Sequence, residues 1–281
     1  WSGIVILNEM AVPKISSKLT QEEHEAHRLS RNKGNCSDGI KIQGDGFIIS
    51  ETERERLLAV NPSNSDVISP YITGKDMVQG IGCKPGGWII NFRTWDYERA
   101  KQFPEPLAVL IERVKEYRDS LTGQIHEKDF WKYWDKREQF FANMSSCTRI
   151  LACPSTAKYL IMTFIKQGWI ASHSVKLFSF DDYWAFAVMQ STLHEQWARA
   201  QSGKLEQRLA YNLSKAFGTF PWPAQSGDSD EQYIQQRHTI SEDRKLCFTD
   251  VYNLFHSSNE TSEDIQKLRD LHIRMDQAVA A

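Results

Sequence analysis

The chain has 281 residues, 41% of them hydrophobic and 25% charged, with a formal net charge of −2. That balance fits a globular protein with room for one large domain and a smaller appendage, and it excludes a bulk polycation. No apolar run approaches the roughly 18 residues a membrane-spanning helix needs, and five scattered cysteines without a Cys-x-x-Cys pair support neither a zinc ribbon nor a disulfide framework.

The chain opens on Trp1 rather than Met, which suggests a piece of a longer protein, and residues 3–7 are too short an apolar run for a secretory leader. Residues 18–28 read as a polar helix, 32–46 as a Gly/Asn/Asp-rich connector and 47–49 as a short strand. Ser50-Glu-Thr-Glu53 is a capping-box pattern that predicts a helix through Leu58. Residues 61–75 are turn-rich, and 86–92 alternate as a strand. Asp96 is placed to cap a brief helix ending before Pro104. Leu107, Leu110, Ile111, Val114 and Tyr117 then follow helical spacing, with Gly123 at its C-terminal end. The aromatic stretch 128–141 is read as a continuing helix. Residues 148–153 and 158–165 are read as a hairpin about Pro154-Ser-Thr-Ala157. Residues 175–180 and 184–189 are read as a second hairpin turning at Asp181-Asp-Tyr183, and 193–201 as a helix. After a linker at 225–230, residues 231–246, 250–256 and 262–280 are helical, the last striped by Ile265, Leu268, Leu271 and Met275. The fold class is α+β, a mixed β-sheet and hairpin domain with packed helices followed by a small all-α C-terminal domain.

No catalytic residue and no metal ligand is assigned. Asn61-Pro-Ser-Asn64 lacks the aromatic that an amino-methyltransferase motif needs to stack on an extruded base, and reads as a turn. Gly80-Ile-Gly82 is out of register for a dinucleotide loop, and His24-Glu-Ala-His27 spaces its histidines by three where a zinc-protease helix needs four. No nucleophile elbow occurs.

Charge is more informative in its distribution than in its sum. Residues 139–180 contain no acid while Arg149, Lys158, Lys166 and Lys176 supply +4, and residues 208–227 are also acid-free. Residues 228–281 carry eleven acids against six Lys/Arg, which leaves +3 on residues 1–227. A local phosphate footprint has this form, although a chance basic patch does too. Within these tracts Ser155, Thr156 and Lys158 occupy a turn, where hydroxyls and an ammonium group suit base edges in a major groove or simply a solvated turn. Arg208, Tyr211, Asn212, Ser214 and Lys215 form a polar cluster beside the apolar anchors Phe217, Phe220 and Pro221. Lys132, Lys136 and Arg137, interleaved with aromatics, are candidate phosphate contacts together with Arg149; the plainer alternative is an amphipathic helix with solvated charges. Trp197 reads as core.

Several motifs in a fixed order carry a family resemblance: Gly44-Asp-Gly-Phe-Ile-Ile-Ser50 before a helix, Asp66-Val-Ile-Ser-Pro-Tyr-Ile-Thr-Gly74, Trp88-Ile-Ile-Asn-Phe92, and the tract from Phe180 to Pro223. Thr249-Asp-Val-Tyr-Asn-Leu-Phe-His256 and the stretch from Leu268 to Ala280 complete the order. Together they resemble the target-recognition and C-terminal helical regions of MmeI-like adenine-N6 DNA methyltransferases and single-chain restriction–modification enzymes. The resemblance implies a duplex-DNA sequence-recognition module serving a methyltransferase domain in cis. The SAM site lies in that upstream domain and no cofactor in this chain, and the setting is cytoplasmic without membrane. It divides the chain into a linker segment (1–60), a recognition domain (61–227) and a helical domain (228–281). It adds the turn bearing Ser179, Asp181 and Tyr183 to the DNA-facing candidates, with Asp182 and Tyr183 open to a structural reading. The alternative is a protein-interaction scaffold using the acidic C-terminal helices, and an autonomous enzyme stands third.

Overall fold

In the computed structural model the described residues are 5–7, 10–12, 26–121, 129–145, 147–205, 208–224 and 231–281. The expected helix from Lys18 as far as residue 25, Gly123 and the linker at 225–230 lie outside them. Strands β1 (Val5–Leu7) and β2 (Met10–Val12) pair antiparallel. The connector expected at 32–46 contains a strand, β3 (Cys36–Asp38). Just after it Gly39 runs so close to another segment that a Cβ would sit 2.1 Å from the Ser172 carbonyl oxygen.

Strand β4 (Ile48–Ile49) leads into α1 (Glu51–Val60), whose capping box is complete: Ser50 Oγ accepts from the Glu53 N–H while the Glu53 carboxylate accepts from the Ser50 N–H. The turn-rich stretch is more ordered than its composition implies. It holds a 3-10 turn (Pro62–Val67), β5 (Ile68–Ile72) and α2 (Gly74–Gln79), the last with its own capping box on Thr73 and Asp76. Strand β6 (Gly87–Ile90) follows, and Asp96 caps α3 (Tyr97–Ala100) through the Arg99 N–H. Helix α4 (Pro104–Leu110), a π-helical turn (Ile111–Lys115) and α5 (Glu116–Ser120) form the long helix read from its apolar spacing.

The helix expected over 128–141 is confined to α6 (Glu138–Asn143). Before it the chain is irregular, because its aromatics are tethered in different directions: Trp131 Nε1 donates to the Trp95 carbonyl at 3.0 Å and Tyr133 Oη to the Ile90 carbonyl at 2.8 Å. Arg137, in the left-handed region at φ 53°, ends the irregular stretch.

The remaining elements are β7 (Arg149–Pro154), β8 (Thr156–Ala157), β9 (Thr163–Lys166), β10 (Ile170–Ala171) and β11 (Val175–Phe178), then α7 (Tyr183–Gln190) and α8 (Thr192–Gln201). Strands β12 (Gly203–Leu205) and β13 (Arg208–Ala210), a π-helical turn (Leu213–Phe217), and helices α9 (Gln232–Arg244), α10 (Phe248–Phe255) and α11 (Glu263–Ala280) complete the chain. Two expectations are corrected here. β7 and β9 pair antiparallel, but the segment between them does not close a tight hairpin; β8 leaves it to join β13. The second expected hairpin is a strand followed by a helix. Residues 184–190 are buried without alternation, a pattern shared by buried strands and buried helices, and the Asp182 carboxylate selects the helix by accepting from the Ala185 N–H at 2.8 Å.

The strands form two four-stranded sheets, β10-β5-β6-β4 and β3-β11-β7-β9, and a three-stranded sheet, β12-β13-β8. With its helices, this is the α+β class expected. Strand β7 feeds two cores by its two-residue period: Leu151 and Cys153 face one, Ile150 and Ala152 the other. The first core also takes in Phe186 from α7 and Tyr233, Ile240, Val251, Ile265 and Leu268 from the last three helices. Those helices therefore share a core with the sheet β3-β11-β7-β9. No helix of the described residues is long and apolar enough to cross a membrane.

Candidate nucleic-acid interface

The pairing of β8 with β13 joins two stretches that the sequence separates by some fifty residues. Thr156 lies opposite Ala210 and Ala157 opposite Leu209, and the Tyr211 N–H donates to the Ser155 carbonyl at 2.9 Å. The 155–158 turn and the 208–215 loop thus share one rim. The loop is shaped by its own side chains: Asn212 Oδ1 accepts from the Lys215 N–H at 3.0 Å and from Ser214 Oγ at 2.9 Å. Beneath it, Trp197 Nε1 donates to the Ala216 carbonyl at 3.1 Å, and Phe217 and Phe220 are buried. Lys158, Arg208, Asn212 and Lys215 are exposed on this rim.

Tyr211 does not belong to the exposed set. It is 3% exposed, and its hydroxyl meets His194 Nε2 at 2.8 Å inside the core. Burial holds His194 neutral, with its pKa lowered to about 3. Ser155 Oγ donates to the His173 carbonyl at 3.3 Å, at the edge of the same turn.

The other candidates sit elsewhere. In β11, Val175 pairs with Pro154 and Phe178 with Leu151, so the turn after β11 lies at the opposite end of β7 from the 155–158 turn, about 17 Å away for a six-residue strand. There Arg149 Nε donates to the Asp181 carbonyl at 2.8 Å, and its guanidinium lies 4.0 Å from the Phe164 ring centroid and 4.1 Å from that of Tyr183, in the corner the two perpendicular rings make. Tyr183 Oη bonds Glu231, and Ser179 Oγ donates to Asn35. These groups fasten the sheet to its surroundings. Lys132 pairs with Asp129 at 3.0 Å, Lys136 with Glu138 at 3.4 Å, and Arg137 with Asp135 at 2.9 Å and Asp38 at 3.8 Å. Lys136 also borders a cleft of about 290 Å³ floored by Ile40, Tyr133, Phe141 and Ile170.

Several supporting residues are invisible in the sequence as functional groups. Gln190, 1% exposed, accepts from the Met162 N–H at 2.8 Å and donates to the Leu160 carbonyl at 3.0 Å. Arg237, fully buried on α9, donates to the Met162 carbonyl at 2.7 Å and to Tyr252 Oη at 3.1 Å, and its guanidinium lies 4.5 Å from the Phe248 ring centroid. Together they clamp the chain immediately after the 155–158 turn. Burial raises the Cys36 thiol to about 11 and that of Cys83 to about 12, so neither is a thiolate nucleophile near neutral pH. Among the described residues no group of three His, Cys, Asp or Glu is arranged to hold a metal ion.

A family model described as MmeI, target recognition domain, matches residues 23–224. No curated protein matches the chain. Among solved structures, that of the Type IIL restriction-modification enzyme MmeI in complex with DNA aligns with a TM-score of 0.69 at 17% identity, covering 96% of this chain and 36% of that one. That likeness is one of fold. The type IIG restriction endonuclease BpuSI aligns with a TM-score of only 0.37 at 11% identity, covering 91% of this chain and 31% of that one. The chain thus spans about a third of the length of each of these enzymes.

Proposed function

The chain belongs to the family of MmeI target recognition domains, and on that premise we propose that it reads base sequence in duplex DNA. The family match carries the reading. It is supported by the convergence of two acid-free stretches on one rim, where exposed Lys158, Arg208 and Lys215 offer cations and Thr156 and Asn212 offer polar groups. In this reading the rim faces the duplex, and a methyltransferase domain upstream in the parent protein holds SAM and transfers the methyl group to adenine N6. The setting is cytoplasmic, and this chain chooses the site without doing the chemistry. A free-standing scaffold built on the C-terminal helices is disfavoured, because their apolar faces are spent in the shared core.

Fluorescence anisotropy with a labelled mixed-sequence duplex tests the rim. Lys158→Ala and Lys215→Ala are each expected to weaken binding and to reduce the slope of log K against log salt by about one; unchanged affinity in both variants overturns the assignment. Selection from a random duplex library is expected to return one defined motif, and an unenriched pool overturns sequence reading. SAM titrated onto this chain is expected not to bind, and saturable binding overturns the division of labour.

A further inference from the structure

Lys158 is held from two helices at once. Its carbonyl accepts from Arg199 Nη2 on α8 at 2.9 Å, and Arg199 is itself fixed by Glu195 at 2.6 Å. Its ammonium donates to Asn253 Oδ1 on α10 at 2.7 Å. The same oxygen accepts from Tyr159 Oη at 2.9 Å, and the Tyr159 ring stacks on His256 with centroids 4.8 Å apart. Asn253 Nδ2 reaches Asp250 at 3.4 Å, which sets the amide with its oxygen toward the lysine.

The chemistry of that partner is the telling point. Lys132, Lys136 and Arg137 are each tied to a carboxylate, which cancels their charge locally. An amide oxygen orients an ammonium group without cancelling its charge, and an ammonium has three N–H donors, so donors remain for an anion. A lysine ordered in advance also loses less side-chain freedom when it meets a phosphate.

We infer that Asn253 is a positioning residue for Lys158, and that α10 is therefore part of the DNA-reading unit although the family match ends at residue 224. This rests on the reading of Lys158 as a DNA contact. The plainer alternative is that the contact merely ties α10 to the sheet.

The test uses the full chain and a fluorescein-labelled mixed-sequence duplex over a salt series. Asn253→Ala is expected to weaken binding about fivefold with the salt slope unchanged, since the lysine charge remains. Asn253→Asp keeps an acceptor but supplies a carboxylate, and is expected to reduce both affinity and slope. In the Lys158→Ala background, Asn253→Ala is expected to have no further effect. Wild-type affinity in Asn253→Ala, or the same loss with and without Lys158, overturns the positioning role. Wild-type affinity and slope in Lys158→Ala instead overturn the underlying reading of Lys158 as a DNA contact. Both positions are exposed, and unchanged thermal midpoints confirm that the variants remain folded.

Discussion

Gln190→Leu isolates what the buried amide does for the chain behind the rim that β8 and β13 form. Leucine fills similar space but presents no polar atom, so the Met162 N–H and the Leu160 carbonyl lose their partner at positions 0% and 2% exposed. Each buried backbone group left unpaired costs about 1–3 kcal/mol. The apolar replacement returns about 1 kcal/mol of transfer free energy. The expected net loss is about 3 kcal/mol, a large fraction of a stability that is about 5–15 kcal/mol in typical domains. Gln190→Glu keeps an acceptor for Met162 and faces Arg237, losing only the donor to Leu160, so it is expected to lose about half as much. Equilibrium urea unfolding at neutral pH, followed by far-UV circular dichroism and tryptophan emission, measures both. A Gln190→Leu variant within about 0.5 kcal/mol of wild type, or a Glu variant less stable than the Leu variant, refutes the reasoning.

His194 and His238, with pKa values lowered to about 3 and about 4 by burial, are neutral when folded and titrate near 6.5 when unfolded. Their stabilisation is complete above pH 6.5 and is lost as pH falls toward those values; His194 alone withdraws about 2 kcal/mol by pH 5. Urea midpoints at pH 7.5, 6 and 5 check this, and a flat profile refutes it. Asp182→Ala removes the cap of α7 and is expected to lose about 1 kcal/mol, whereas Asp181→Ala, which leaves its carbonyl bond to Arg149 in place, is expected to match wild type in the same unfolding assay. Lys132→Ala, already paired with Asp129, is expected to leave the salt slope of DNA binding unchanged, and a drop of about one would put it on the footprint.

Local signals were legible wherever a side chain acts on its own neighbourhood. Ser50 with Glu53, and Asp96 with Arg99, close caps within three residues, so the pattern and the geometry are the same thing. The stripe of Ile265, Leu268, Leu271 and Met275 marks a buried face for the same reason. Where tertiary contacts decide, the sequence is silent. The run from Trp184 to Met189 is buried on all sides and has no periodicity to read, and the aromatics near Trp131 are placed by carbonyls far along the chain. At the candidate site, the two polar stretches could be picked out by charge and composition, but nothing local says that Thr156 meets Ala210, or that Tyr211 turns inward to His194. Gln190, Arg237 and Asn253 act across spans of 28 to 95 residues, and their types alone do not distinguish them from solvated polar groups.

Strand β8 is only two residues long, and what secures it to β13 is main chain pairing with main chain. Every residue but proline brings the same peptide N–H and C=O, so this seam is indifferent to most of the letters written along it. We expect exchanges of outward residues such as Thr156 and Arg208 to alter what the rim selects while leaving its shape alone, like type set in a fixed frame.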